Sequence, residues 1–127
     1  PALLVVGPKG RSQRRRTHAL RAVGYRLATT ESHSTMARIL EFFRPDAVVL
    51  SLPLPDMRAR ELDTRLRLLD GYPLLLLADE TIGALKPPAR YTRRPGVPHL
   101  QLPRACGRGL LLTGVATLLS EAARGTR

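Results

Sequence analysis

Cysteine is nearly absent from this 127-residue chain. The single residue, Cys106, excludes an internal disulfide and disfavours a cysteine-rich zinc site. Tryptophan is missing and aromatic residues make up only 4%, so a stacking platform for single-stranded nucleic acid is not expected. Acidic residues are scarce too, 10 against 21 basic ones. His18, His33 and His99 lie far apart, with no carboxylate or cysteine cluster at ligand spacing, so no metal site is expected. No apolar run approaches the ~20 residues of a membrane-spanning helix. The first residues lack the charged, apolar, small-residue order of a secretory signal. The expected compartment is the cytoplasm, without membrane association.

What is present describes a folded chain. Hydrophobic residues account for 43% and charged residues for 24%, a globular rather than disordered composition. The length suits one domain over residues 1–127. The net charge is +11, and all basic residues except Lys9 and Lys86 are arginines. Such a surface attracts nucleic acid, acidic proteins or anionic lipid without choosing among them.

Ala2-Leu3-Leu4-Val5-Val6 is wholly apolar and ends at Gly7-Pro8, as a strand buried on both faces should. Residues Arg11 to Val23 read as a helix that starts at Gly10 or Ser12 and ends at Gly24, with Gln13, Thr17, Leu20 and Val23 inward. Tyr25 to Thr29 alternates as a second strand. Ser34 is placed to cap a helix from Thr35 to Phe43, whose apolar stripe is Met36, Ile39, Leu40 and Phe43. Ala47 to Leu52 is the clearest buried strand, and Pro53 and Pro55 force a loop after it. A third helix is expected over Arg58 to Leu69, then a strand over Leu74 to Leu77. Thr81 to Lys86 is a short helix at most, because Pro87-Pro88 breaks it. His99 to Leu102 is a fifth strand, and Gly109 to Ala123 a last helix with Leu111, Val115, Leu118 and Ala122 on one face. Five β-α repeats joined by right-handed crossovers predict an α/β fold: a doubly wound, five-stranded parallel sheet with helices on both faces. Ligands in such folds sit at the carboxyl ends of the strands. The loops to inspect therefore begin at Gly7, Ser51, Ala78 and Leu102.

The segment Pro45-Asp46-Ala47-Val48-Val49-Leu50-Ser51-Leu52-Pro53-Leu54-Pro55-Asp56-Met57 resembles the third strand and following loop of response-regulator receiver domains, the CheY-like family. Gly24-Tyr25 and Leu102-Pro103 stand where that family often has G-Y before its second strand and K-P after its fifth. The resemblance spans essentially the whole chain. It implies an acidic pair holding Mg²⁺ after the first strand, an aspartate nucleophile ending the third, a hydroxyl residue ending the fourth and a lysine ending the fifth. The matching positions here are Gly7 and Pro8, Ser51, Ala78 and Leu102. None carries the expected group. Mg²⁺ takes hard oxygen ligands, usually with carboxylates among them, and an unionised Ser51 has no evident base beside it. The expectation is a degenerate receiver that is not phosphorylated by the family mechanism, is not an enzyme and needs no cofactor. Asp56 and Asp79 lie near the site and are read as turn formers. His99 takes the place of the family's switch aromatic, and is expected to be a partly exposed ring.

Gly7 to Ser12 joins a strand to a helix and carries Lys9 and Arg11, but it has neither Walker A nor G-x-G-x-x-G spacing, so a plain turn is expected. Arg11, Arg14, Arg15, Arg16 and Arg21 form one basic cluster, and Arg90, Arg93 and Arg94 a second. Lys9, Arg11, Arg14, Arg15, Arg90, Arg93 and Arg94 are the candidates for holding an anion or partner. A Ser51-His99-Asp79 triad lacks the nucleophile-elbow glycines. Arginines near Cys106 would lower its pKa, yet an inert thiol is expected. The functional expectation is a phosphorylation-independent protein-interaction module in bacterial signalling or transcription control. Its partner is a protein, acidic in character, and the resemblance implies that homodimerisation is open to it. The alternative is a basic module that binds nucleic acid or another anion on the same fold.

Overall fold

The computed structural model describes residues 1–52, 68–78 and 97–125, apart from the side chains of residues 33 and 125. Five strands form one sheet: β1 (Ala2–Val6), β2 (Arg26–Thr30), β3 (Ala47–Ser51), β4 (Leu74–Leu77) and β5 (His99–Leu102). All neighbours pair in parallel, in the order β2-β1-β3-β4-β5. β1, β3 and β4 are buried along their whole length, which is why their sequences are apolar throughout except for Ser51 at the end of β3. The edge strand β5 alternates exposed and half-buried residues.

The sheet separates two apolar clusters. Leu4, Val6, Val48, Leu50, Leu74 and Leu76 face one side, where Met36 of helix α2 (His33–Ile39) packs. Leu3, Val5, Val49, Leu75 and Leu77 face the other, against Leu20 of α1 (Arg11–Ala22) and Leu111, Val115 and Leu118 of α3 (Arg108–Gly125). Helices therefore cover both faces, as the strand patterns predict. A fully buried leucine of this kind contributes ~2 kcal/mol through removal from water.

Local details depart from the sequence-based expectations. Val23 is not inward: it caps α1 and is 52% exposed. The chain turns there through Gly24, at φ +100°, so Val23 leaves the helical stripe and Ala19 is buried instead. β2 starts one residue late, because Ala2 pairs with Arg26. The cap of α2 is Ser32 rather than Ser34; its hydroxyl accepts the Thr35 amide at 3.1 Å. That helix ends at Ile39, four residues early. Bonds from the Glu41 amide to the Arg38 carbonyl and from the Phe42 amide to the Ile39 carbonyl tighten its end into a turn. The helix expected over Arg58 to Leu69 falls outside the described residues except at its end, where Leu69 is buried and Leu68 exposed. The expected short helix with Pro87-Pro88 lies outside them too.

Asp46 has a structural role. Its Oδ2 accepts the Ala2 amide at 2.7 Å, and its own amide donates to the Ala2 carbonyl at 2.7 Å. This reciprocal pair ties the start of β1 to the entry of β3. Among the described residues no helix is long and apolar enough to cross a membrane.

Candidate functional site

In this strand order the chain direction across the sheet reverses between β1 and β3, and the crevice outside their carboxyl ends is the natural site. Gly7 follows β1 there, and Ser51 ends β3 beside it. A Cβ on Gly7 would lie 3.0 Å from the Ser51 Cβ and 3.0 Å from Gln13 Oε1. The Gln13 side chain, from the first turns of α1, therefore occupies the space beside Gly7 where a side chain on that residue would go. Gln13 Oε1 accepts a hydrogen bond from Arg16 Nη1 at 3.1 Å, and Arg16 Nη2 donates to the Arg104 carbonyl at 3.2 Å. Ser51 is 1% exposed, and neither its Oγ nor Gln13 Nε2 has a hydrogen-bond partner among the described residues.

The remaining positions are apolar in surroundings as well as in type. Ala78 sits in the apolar cluster on the α2 side, its amide donating to the Leu102 carbonyl at 3.0 Å. Leu102 is turned into the sheet–α3 contact, with its Cδ1 3.1 Å from where a Cβ on Gly114 would stand. Pro8 is half-buried. Magnesium does not suit this arrangement. Among the described residues, the side-chain oxygens at the crevice are a neutral hydroxyl and an amide oxygen already held by a guanidinium, whose positive charge opposes a second cation. No His/Cys/Asp/Glu group capable of holding a metal occurs among the described residues.

Other sequence candidates fall in different places. Ser51 pairs in register with Leu77, and Leu77 with Leu102, whereas His99 pairs with Leu74 at the opposite end of the sheet. Ser51 and His99 are thus separated by about 10 Å along the strands and about 10 Å across them, which rules out a triad. His99 is exposed at the start of β5. Lys9 forms an exposed ion pair with Glu31 at 3.7 Å. Arg11, Arg14 and Arg15 are exposed on α1, as expected. Arg90, Arg93 and Arg94, with Asp56 and Asp79, lie outside the described residues. Cys106 is half-buried. Desolvation raises its thiol pKa and outweighs the opposing charge of Arg16, so the arginines do not activate it.

All-parallel pairing in the order β2-β1-β3-β4-β5, with helices on both faces and a crevice between β1 and β3, decides the architecture. The chain has the response-regulator receiver fold. The receiver domain of a sensor histidine kinase from Pseudomonas aeruginosa superposes with a TM-score of 0.70 at 19% identity, over 94% of this chain and 97% of that one. The signal receiver domain of an HD domain-containing protein from Pseudomonas fluorescens gives 0.76 at 18%, over 98% and 90%. The N-terminal domain of a three-domain response regulator/sensory box/GGDEF protein from Carboxydothermus hydrogenoformans gives 0.74 at 15%, over the full length of both. No protein-family model matches the sequence, and no curated protein does. The Pseudomonas aeruginosa structure holds a magnesium ion in its active-site cleft; in this chain the described residues at the corresponding crevice are glycine, serine and glutamine.

Sequence reasoning placed Gln13 inward but did not give it a task. The signal was present: a polar residue at an inward helical position, three residues before Arg16, beside a strand-ending glycine. The meeting of Arg16 with Arg104, 88 residues apart, had no local signal.

Proposed function

We propose that this chain is a receiver-fold signalling domain that works without aspartyl phosphorylation and without catalysis, as a protein-interaction module in bacterial signal transduction or transcription control. The observation that carries this reading is the crevice. Gln13 Oε1 and the Ser51 Cβ stand 3.0 Å from where a Cβ on Gly7 would lie, and Arg16 holds the Gln13 carbonyl oxygen. No carboxylate stands at the matching positions to bind Mg²⁺ or accept a phosphoryl group, and Leu102 in place of a lysine leaves no amine to neutralise one. A domain so altered acts through its surfaces. The two candidates are the arginine-bearing face of α1, suited to an acidic protein, and the face made by β5 and α3, suited to a second copy or an output partner.

The test is a titration with beryllofluoride and Mg²⁺ followed by amide chemical shifts. The expected result is no saturable change at Gly7, Ser51 or Ala78. Saturable, Mg²⁺-dependent shifts at those amides would overturn the proposal.

A further inference from the structure

A cleft of about 560 Å³ opens between α1, the loop after β5 and the start of α3. Its wall carries four arginines from three elements: Arg15 and Arg16 of α1, Arg104 of the loop and Arg108 of α3. Ala19 and Leu111 supply an apolar floor, and no carboxylate lines it among the described residues. Arg15, Arg16 and Arg108 enter no ion pair with any described residue. Two further observations favour an anion there. Arg108 is the first residue of an 18-residue helix, whose first turn contains no acid; a cation there faces the positive end of the helix dipole. Arg16 is partly buried with its charge near that of Arg104, and its pKa is lowered by desolvation first and by Arg104 second. An anion in the cleft relieves both strains.

We propose that this cleft binds a nucleoside polyphosphate: the guanidiniums of Arg15, Arg16 and Arg108 take the phosphates, and the base lies over Ala19 and Leu111. The volume is that of a small-molecule site. Arginine forks match phosphate oxygens in pairs, and their flat faces also stack on planar rings. The recess is lined by three elements around about 560 Å³, which suits a compact ligand better than a continuous strand. This inference does not rest on the phosphorylation-independent reading, because the cleft shares only Arg16 with the crevice.

The experiment is isothermal titration of the full chain with ATP and with GTP at low salt, alongside tripolyphosphate and adenosine as fragments. One saturable site per chain is expected for at least one nucleotide. Tripolyphosphate is expected to bind about tenfold more weakly, having no ring to stack. Arg15→Gln and Arg108→Gln should each weaken binding about tenfold. Arg21→Gln removes the same charge outside the cleft and should change affinity less than twofold; unaltered circular dichroism checks that each variant folds. The proposal is overturned by absence of saturation with both nucleotides, by equal losses in Arg21→Gln and Arg108→Gln, or by tripolyphosphate binding as tightly as ATP.

Discussion

The crevice at the strand ends and the cleft beside α3 are neighbours joined by Arg16, yet they treat charge in opposite ways. In the crevice, Gly7, Ser51 and Gln13 are neutral, packed to contact and buried. In the cleft, four arginines line open space, and no carboxylate is part of its lining among the described residues. Removing charged groups from a buried place lets the side chains close it, because an unpaired charge there is far costlier than a neutral amide. Gathering like charges in an accessible place keeps it open, because water and ions screen them.

The comparison is broken most severely at Gly7. Gly7→Asp adds a Cβ at 3.0 Å from two neighbours and a carboxylate at a buried position. It should destabilise the fold by about 3 kcal/mol or more, measured by urea denaturation. A stable Gly7→Asp variant would mean that the crevice still has room for an acid.

Arg16→Met tests the link between the two regions. It removes the bonds to Gln13 Oε1 and the Arg104 carbonyl and leaves a buried amide oxygen unpaired. The expected loss is about 1–3 kcal/mol. No loss would show that Gln13 is held over Gly7 by packing alone.

Smaller effects sharpen the contrast. The Cys106 thiol has a raised pKa because of burial. The folded chain therefore holds this proton more tightly than the unfolded one. That contribution is complete below the unfolded thiol's pKa, about 8.5, and is lost as pH rises through the folded value. The urea midpoint should fall across that alkaline range, and Cys106→Ala should lack this part of the slope. Smallest of all, Arg108→Gln should leave stability unchanged or raise it by about 0.3–0.5 kcal/mol, since it removes a cation from the positive end of α3. A clear destabilisation would make Arg108 a structural residue and count against the cleft as a binding site.

Much of the fold was legible because its signals are local. The runs Ala2–Val6, Ala47–Ser51 and Leu74–Leu77 have no polar residue before Ser51, and a strand covered by helices on both faces is the arrangement that buries such runs completely. Helix ends were less legible. Ser32 and Ser34 are chemically equal caps, and the choice rests on which hydroxyl meets the Thr35 amide. Val23 continued the apolar stripe in sequence, but Gly24 turned the chain before it could be buried. At the site, the missing acids were plain from composition and motif, whereas the plug of Gln13 and the convergence of Arg104 and Arg108 on α1 were not.

From its order of residues alone, this chain was committed to a parallel five-stranded sheet and to a carboxylate-free set of positions at the strand ends, because burial pattern and side-chain chemistry belong to each residue wherever it lies. Only tertiary structure decided that Gln13 occupies the space beside Gly7 and that arginines from three elements share one cleft. Those facts depend on which helices the crossovers lay on the same face of the sheet. α1 and α3 meet there across most of the chain's length, a proximity that no local pattern encodes.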